Sequence, residues 1–215
     1  MTLHPHRCIF GKHTTRENMH LFQTMYAFTL SIKLGGVYLD TDVELLKSLD
    51  GFLEHEMFVG FENDTGLSTG IIGACKGHFA IKHMMNEYNE ISFYTDNKKS
   101  FDFTTNGARM KEYFLKLGLI LNNRFQQFEN ITVYPKDYFS PMKAMAYTLH
   151  LTENSCAIHY FNFSWWDDQS RKNLKRLRFK SKYDLADKRK AYVHNLIKNL
   201  PGEKAIKRIK KAIRK

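Results

Sequence analysis

Between Gly35 and Asp42 the chain reads GGVYLDTD, an apolar strand entered from a glycine pair and left through two aspartates, the most informative stretch of the sequence. Before it, Leu21, Met25, Phe28 and Ile32 fall three and four apart, a spacing that predicts a helix over residues 17–34. The glycine pair stops that helix, because a C-terminal cap favours a residue that tolerates left-handed backbone. Val37-Tyr38-Leu39 then predicts a short buried strand. Asp40 and Asp42 follow at once, so the strand runs straight into paired carboxylates.

The rest of the chain alternates similarly. Strands are predicted at Met57–Phe61, Gly70–Ala74, Ile131–Tyr134 and Ala157–Phe163, with a loop or short turn over Leu45–Leu53. Helical spacing recurs over His78–Tyr88 and Arg109–Leu121, and a polar loop is expected over Asn97–Asn106. Strands interspersed with helices indicate an α/β domain with a mostly parallel or mixed sheet. Its 215 residues, 43% hydrophobic, suffice for one domain with a sizeable core plus an appendage.

The net charge of +11 is unevenly placed. Residues 171–215 hold 18 Lys/Arg against 3 Asp/Glu, leaving 15 Lys/Arg and 19 Asp/Glu for residues 1–170. A mildly acidic body over 1–170 therefore precedes a basic helical tail over 171–215. The last fifteen residues, PGEKAIKRIKKAIRK, set a stripe of small apolar side chains among lysines and arginines. Such a helix suits weak contact with an anionic membrane, and equally a solvated helix docked on the body by its isoleucines. No nucleic acid is expected, because no aromatic residues interleave the charges and no nucleic-acid motif is present. Three cysteines, odd in number and widely spaced, form neither a disulfide framework nor a zinc pattern. With no recognisable signal sequence, they point to the cytoplasm, with 201–215 available for peripheral contact with the inner membrane face.

The acidic pair carries the chemistry. Asp40 and Asp42 face one side if the strand continues through them. Two carboxylates there make a poor core but a good site for Mg²⁺ or Mn²⁺, hard cations that take carboxylate and phosphate oxygens. Taken alone, a bare Asp-x-Asp is more often a solvated turn, and a lone His on an aromatic strand, such as His159, more often structural.

The surrounding residues resolve the choice by resemblance. Residues 35–50, GGVYLDTDVELLKSLD, resemble the DXD segment of glycosyltransferase family 32, which includes bacterial capsular polysaccharide transferases. Further segments are similar in family order: Phe58 to Glu62, Gly70 to Ala74 with Gly77-His78, Val133 to Phe139, and Ala157-Ile158-His159 with Ser164-Trp165-Trp166. The resemblance implies a GT-A-like (Rossmann-like) fold and a UDP- or GDP-linked sugar donor. It also implies Mn²⁺ or Mg²⁺ held by Asp40, Asp42 and His159. Donor contacts are implied at Gly36, Tyr38, Asp40, Asp42, Ser164 and Trp166. Acceptor or sugar contacts are expected at Thr69, Gly70, Thr105 and Asn106. No catalytic nucleophile is assigned.

Two departures separate the chain from that family. Its Ser-Asp-x-x-Arg pattern falls on Gln23, Thr24 and Ala27, so an acidic and a basic donor contact are missing. The front is also roughly fifty residues shorter than the resemblance calls for, with His6 to Lys12 similar to the family's opening. The N-terminal nucleotide-binding part is therefore expected to be incomplete. The function expected is a metal-dependent, retaining hexosyltransferase of surface polysaccharide or lipopolysaccharide synthesis, acting on a saccharide or lipid-linked saccharide. The alternative is a truncated, catalytically weak member serving as a binding or partner subunit.

Overall fold

The computed structural model describes residues 33–90, 104–144, 148–163 and 168–174, with residues 29 and 190. The predicted helix over 17–34 lies almost wholly outside them, as do Ser164, Trp166 and residues 201–215.

Five strands form the central sheet, in the order β1 (Gly36–Leu39), β4 (Leu67–Ala74), β3 (Met57–Phe61), β6 (Ile131–Tyr134), β5 (Gln126–Phe128). Only β3 and β6 run parallel; the other neighbours are antiparallel, so the sheet is mixed and the domain is α/β. β2 (Val43–Leu45) pairs with β9 (Ala157–His159), and β7 (Met142–Lys143) with β8 (Thr148–Leu149), each as a separate two-stranded ladder.

All five residues of β3 are buried, as expected of a strand covered on both faces. Met57, Val59 and Phe61 face one side, with Leu67 and Ile72 of β4. Helix α1 (Phe79–Glu90) buries Ala80, Ile81, Met84 and Tyr88 there, and helix α2 (Asn106–Lys116) adds Met110 and Phe114. The other side collects Phe52, Phe58, Ile71, Tyr134, Phe139 and Ala157. Phe139 comes from the short helix α3 (Lys136–Phe139), and Phe52 from a 3₁₀ turn over Asp50–Phe52.

Strand glycines make room for aromatic rings. A Cβ on Gly73 would lie 1.9 Å from the Phe58 ring, and one on Gly60 would lie 2.8 Å from that of Phe139. Gly35 adopts φ +72°, and a Cβ there would press within 2.7 Å of the Lys76 amide nitrogen. The glycine pair thus turns the chain into β1 against the end of β4, in keeping with its reading as a helix stop.

Several predicted elements shift. β4 begins three residues before the expected Gly70. α2 starts at Asn106, because Thr105 caps it by accepting from the Ala108 amide at 3.2 Å. Predicted from Arg109 to Leu121, it stops at Lys116, ahead of Gly118 at φ +109°. β9 ends at His159 instead of Phe163, since Phe161 and Phe163 both adopt left-handed backbone, with φ of 50° and 46°. The segment 168–174 is helical and buries Leu174.

Candidate metal centre

β1 stops at Leu39, so strand alternation does not align the two aspartates as expected. Asp40 to Val43 form a turn, closed by the Val43 amide donating to the Asp40 carbonyl at 3.1 Å. The Asp40 amide donates to the Gly70 carbonyl at 2.9 Å, which fixes the turn to β4. A turn serves the purpose as well, because it folds both carboxylates toward a single imidazole.

That imidazole arrives with β9. Val43 pairs with His159, and the Tyr160 amide donates to the Asp42 carbonyl at 3.0 Å. His159 Nε2 lies 3.3 Å from Asp42 Oδ1 and 3.8 Å from Asp40 Oδ2. One ligand atom from each of the three residues fits within 4.8 Å, and all three residues are half-buried. The His159 side chain is only 12% exposed, and its Nδ1 is buried without a hydrogen-bond partner among the described residues.

The ring is seated by a missing side chain. A Cβ on Gly70 would lie 2.8 Å from His159 Nδ1, tighter than contacts to real Cβ atoms. Phe161 packs against the ring, tilted, with centroids 4.1 Å apart. The left-handed backbone of Phe161 turns the chain so that the Asn162 amide donates to Asp42 Oδ2 at 2.7 Å. A bulky residue at positive φ is costly and persists where its surroundings enforce it.

The carboxyls differ in electrostatics. Burial pushes Asp42 up, but the His159 hydrogen bond and the Asn162 amide outweigh it and hold the group below the ordinary aspartate range. Asp40 is raised, first by desolvation, against the opposing pull of the Tyr38 hydroxyl and His159. Tyr38 donates to Asp40 Oδ1. Burial and the Asp40 charge raise that phenol well above its usual range. Asp42 is thus a ready anion and Asp40 a carboxylate that benefits from a cation.

Two carboxylates and an imidazole form a donor set that fits Mn²⁺ or Mg²⁺, with hard oxygen ligands dominant and one borderline nitrogen. With Nδ1 packed over Gly70, Nε2 faces the carboxylates and is the nitrogen placed to ligate.

Of the other expected site residues, Tyr38 and Gly70 join the centre as described. Gly36 lies at the opposite end of β1, paired with Ala74, roughly 13 Å away along an extended strand. Thr69 is half-buried in β4 between Ser68 and Gly70. Thr105 caps α2, and Asn106 Oδ1 accepts from the Tyr88 hydroxyl, so both anchor a helix start.

Two contributors escape sequence reasoning: the Asn162 amide and the Phe161 ring. A backbone amide leaves no trace in residue identity. No helix among the described residues is long and apolar enough to cross a membrane. No family model, curated protein or solved structure matches the chain significantly.

Proposed function

We propose that the chain is a metal-dependent glycosyltransferase of the family 32 type, with a GT-A-like fold. It moves a hexose from a UDP- or GDP-linked donor to a saccharide or lipid-linked saccharide, with retention at the anomeric carbon. The convergence of Asp40, Asp42 and His159 beside β4 carries this reading. An Asp-x-Asp turn alone fits many surfaces, but an imidazole from a distant strand seated against it by Gly70 is a built arrangement.

Bound Mn²⁺ or Mg²⁺ would supply positive charge to the diphosphate as the bond from its oxygen to the anomeric carbon breaks. The chain's residues prepare that site. Asp42, ionised and fixed by the Asn162 amide, offers a stationary anion. Tyr38 orients Asp40 by donating to its Oδ1 and leaves Oδ2 toward His159. Phe161 packs along the His159 ring and screens it from water. Preorganised charge of this kind need not rearrange during reaction. Ser164 and Trp166 are proposed to close on the donor, and 201–215 to rest on an anionic membrane.

Titration calorimetry with UDP and GDP, each with and without Mn²⁺, tests the reading. One nucleotide is expected to bind in a Mn²⁺-dependent manner, and Asp42→Asn to weaken it at least tenfold. Metal-independent binding, or an unaffected Asp42→Asn variant, refutes the assignment. Gln23, Thr24 and Ala27 stand where the family carries charged donor contacts, and they favour a second reading as a weak partner subunit. A folded protein that binds neither nucleotide supports that one.

A further inference from the structure

Glu62 follows β3 at the start of its turn into β4, with its amide donating to the Gly66 carbonyl at 2.8 Å. Phe58 and Gly60 precede it by four and two residues, and both face the layer containing Phe139 and Ala157. Continued alternation directs Glu62 to that layer. Ala157 belongs to the same layer, and His159 lies two residues further along β9, so the same alternation brings His159 to that side. The two side chains are near enough for the His159 charge to act on the Glu62 carboxyl.

This carboxyl has no evident structural task. It is half-buried, and neither a hydrogen bond nor an ion pair links it to any described residue. Desolvation raises it above the ordinary glutamate range, a cost that nothing nearby offsets fully. It also lies outside the group of ligand atoms formed by Asp40, Asp42 and His159.

We propose that Glu62 is a substrate-binding residue that accepts hydrogen bonds from hydroxyls of the hexosyl group of the donor. The proposal rests on the transferase reading above. A carboxylate repels a diphosphate, so the anionic part of the donor belongs with the cation that Asp40, Asp42 and His159 would hold, and its neutral polyol beside Glu62. Sugar hydroxyls are donors that a carboxylate with unfilled acceptor sites binds strongly, because charge-assisted hydrogen bonds exceed neutral ones. Glu62 thereby contributes to selection between a bare nucleotide and a nucleotide sugar.

Calorimetry in the presence of Mn²⁺ tests this with wild type, Glu62→Ala and Glu62→Gln. The probes are UDP, GDP, UDP-glucose, UDP-galactose and GDP-mannose. Wild type should bind one nucleotide sugar more tightly than its parent nucleotide. Glu62→Ala should retain affinity for the parent nucleotide within twofold and lose about tenfold for the sugar nucleotide. Glu62→Gln, which keeps one acceptor oxygen, should recover part of that loss. Equal weakening of nucleotide and sugar nucleotide would assign Glu62 to the metal centre and overturn the proposal. Unchanged sugar discrimination in Glu62→Ala would overturn it too, as would a wild type that gains nothing from any hexose. A wild type with no Mn²⁺-dependent nucleotide binding removes the transferase reading itself, and this proposal with it.

Discussion

Gly70 shows how an absent side chain can define a centre. His159 rests where a Cβ would be, 2.8 Å from the ring nitrogen, while Gly70 lies where the register of β4 against β3 shifts, and its carbonyl accepts the Asp40 amide. Gly70→Ala is therefore expected to fold, because the β1–β4 pairing through Leu39 and Ile71 does not depend on it, but to push the imidazole away from the carboxylates. A shift of about an ångström in a ligand costs affinity steeply, so Mn²⁺ binding should fall at least tenfold, with a Tm change of only a few degrees. Mn²⁺ titration by electron paramagnetic resonance, beside a melting curve, checks both halves. Wild-type affinity in the variant would mean that His159 does not ligate. Asp40, Asp42 and His159 are legible in the sequence because each carries its chemistry in its side chain. Gly70 is legible there only as a sugar contact, because the property that matters is the space left for a residue 89 positions later.

Among the strands, the coupling of rings to glycines governs packing between β3 and β4. Phe58 is 1% exposed and occupies the place of a Gly73 side chain. Gly73→Ala should destabilise by about 1–3 kcal/mol through overpacking, and Phe58→Ala by about 3–5 kcal/mol through the cavity it leaves. The pair should not add: once Phe58 is truncated, the methyl group introduced by Gly73→Ala fills part of the cavity, and urea unfolding should return a coupling of at least about 1 kcal/mol. Additive losses would show that the ring does not cover the glycine. β3 and β6 are legible to the residue because each is a run dominated by apolar, β-branched or aromatic residues and bounded by polar residues or proline. β2, β5, β7 and β8 are not, since strands of two or three residues have no periodicity to detect. Their pairing depends on partners remote in the chain. The premature end of β9 has the same origin: Phe161 and Phe163 look like strand residues, yet the bond from Asn162 to Asp42 requires the backbone to turn.

For the domain, a cation at the centre is expected to act on stability. A ligand that binds only the folded chain contributes about 2.7 kcal/mol at a hundred times its Kd, or roughly 5–10 °C in Tm for a protein of this size. Mn²⁺ should raise Tm by that amount and EDTA should reverse it. The pH dependence follows from Asp40, whose carboxyl is raised mainly by desolvation. Over the interval between the unfolded and folded titrations, the folded metal-free chain keeps a proton that the unfolded chain has lost. Metal-free stability therefore falls as pH rises through that interval, while the cation needs the proton removed. The Mn²⁺-induced rise in Tm should shrink as pH drops through the same interval, and differential scanning fluorimetry across pH checks the sign. A pH-independent increment would exclude Asp40 from the ligand set.

The ladder of β2 and β9 joins Val43–Leu45 to Ala157–His159 across most of the described chain. During synthesis the acidic turn leaves the ribosome long before the imidazole that completes it, so no half-made chain can hold the cation by these three ligands. On the proposed reading, ion capture would be a test of completion: a polypeptide interrupted before residue 159 carries both aspartates but not the imidazole, and should bind the metal more weakly than the full chain.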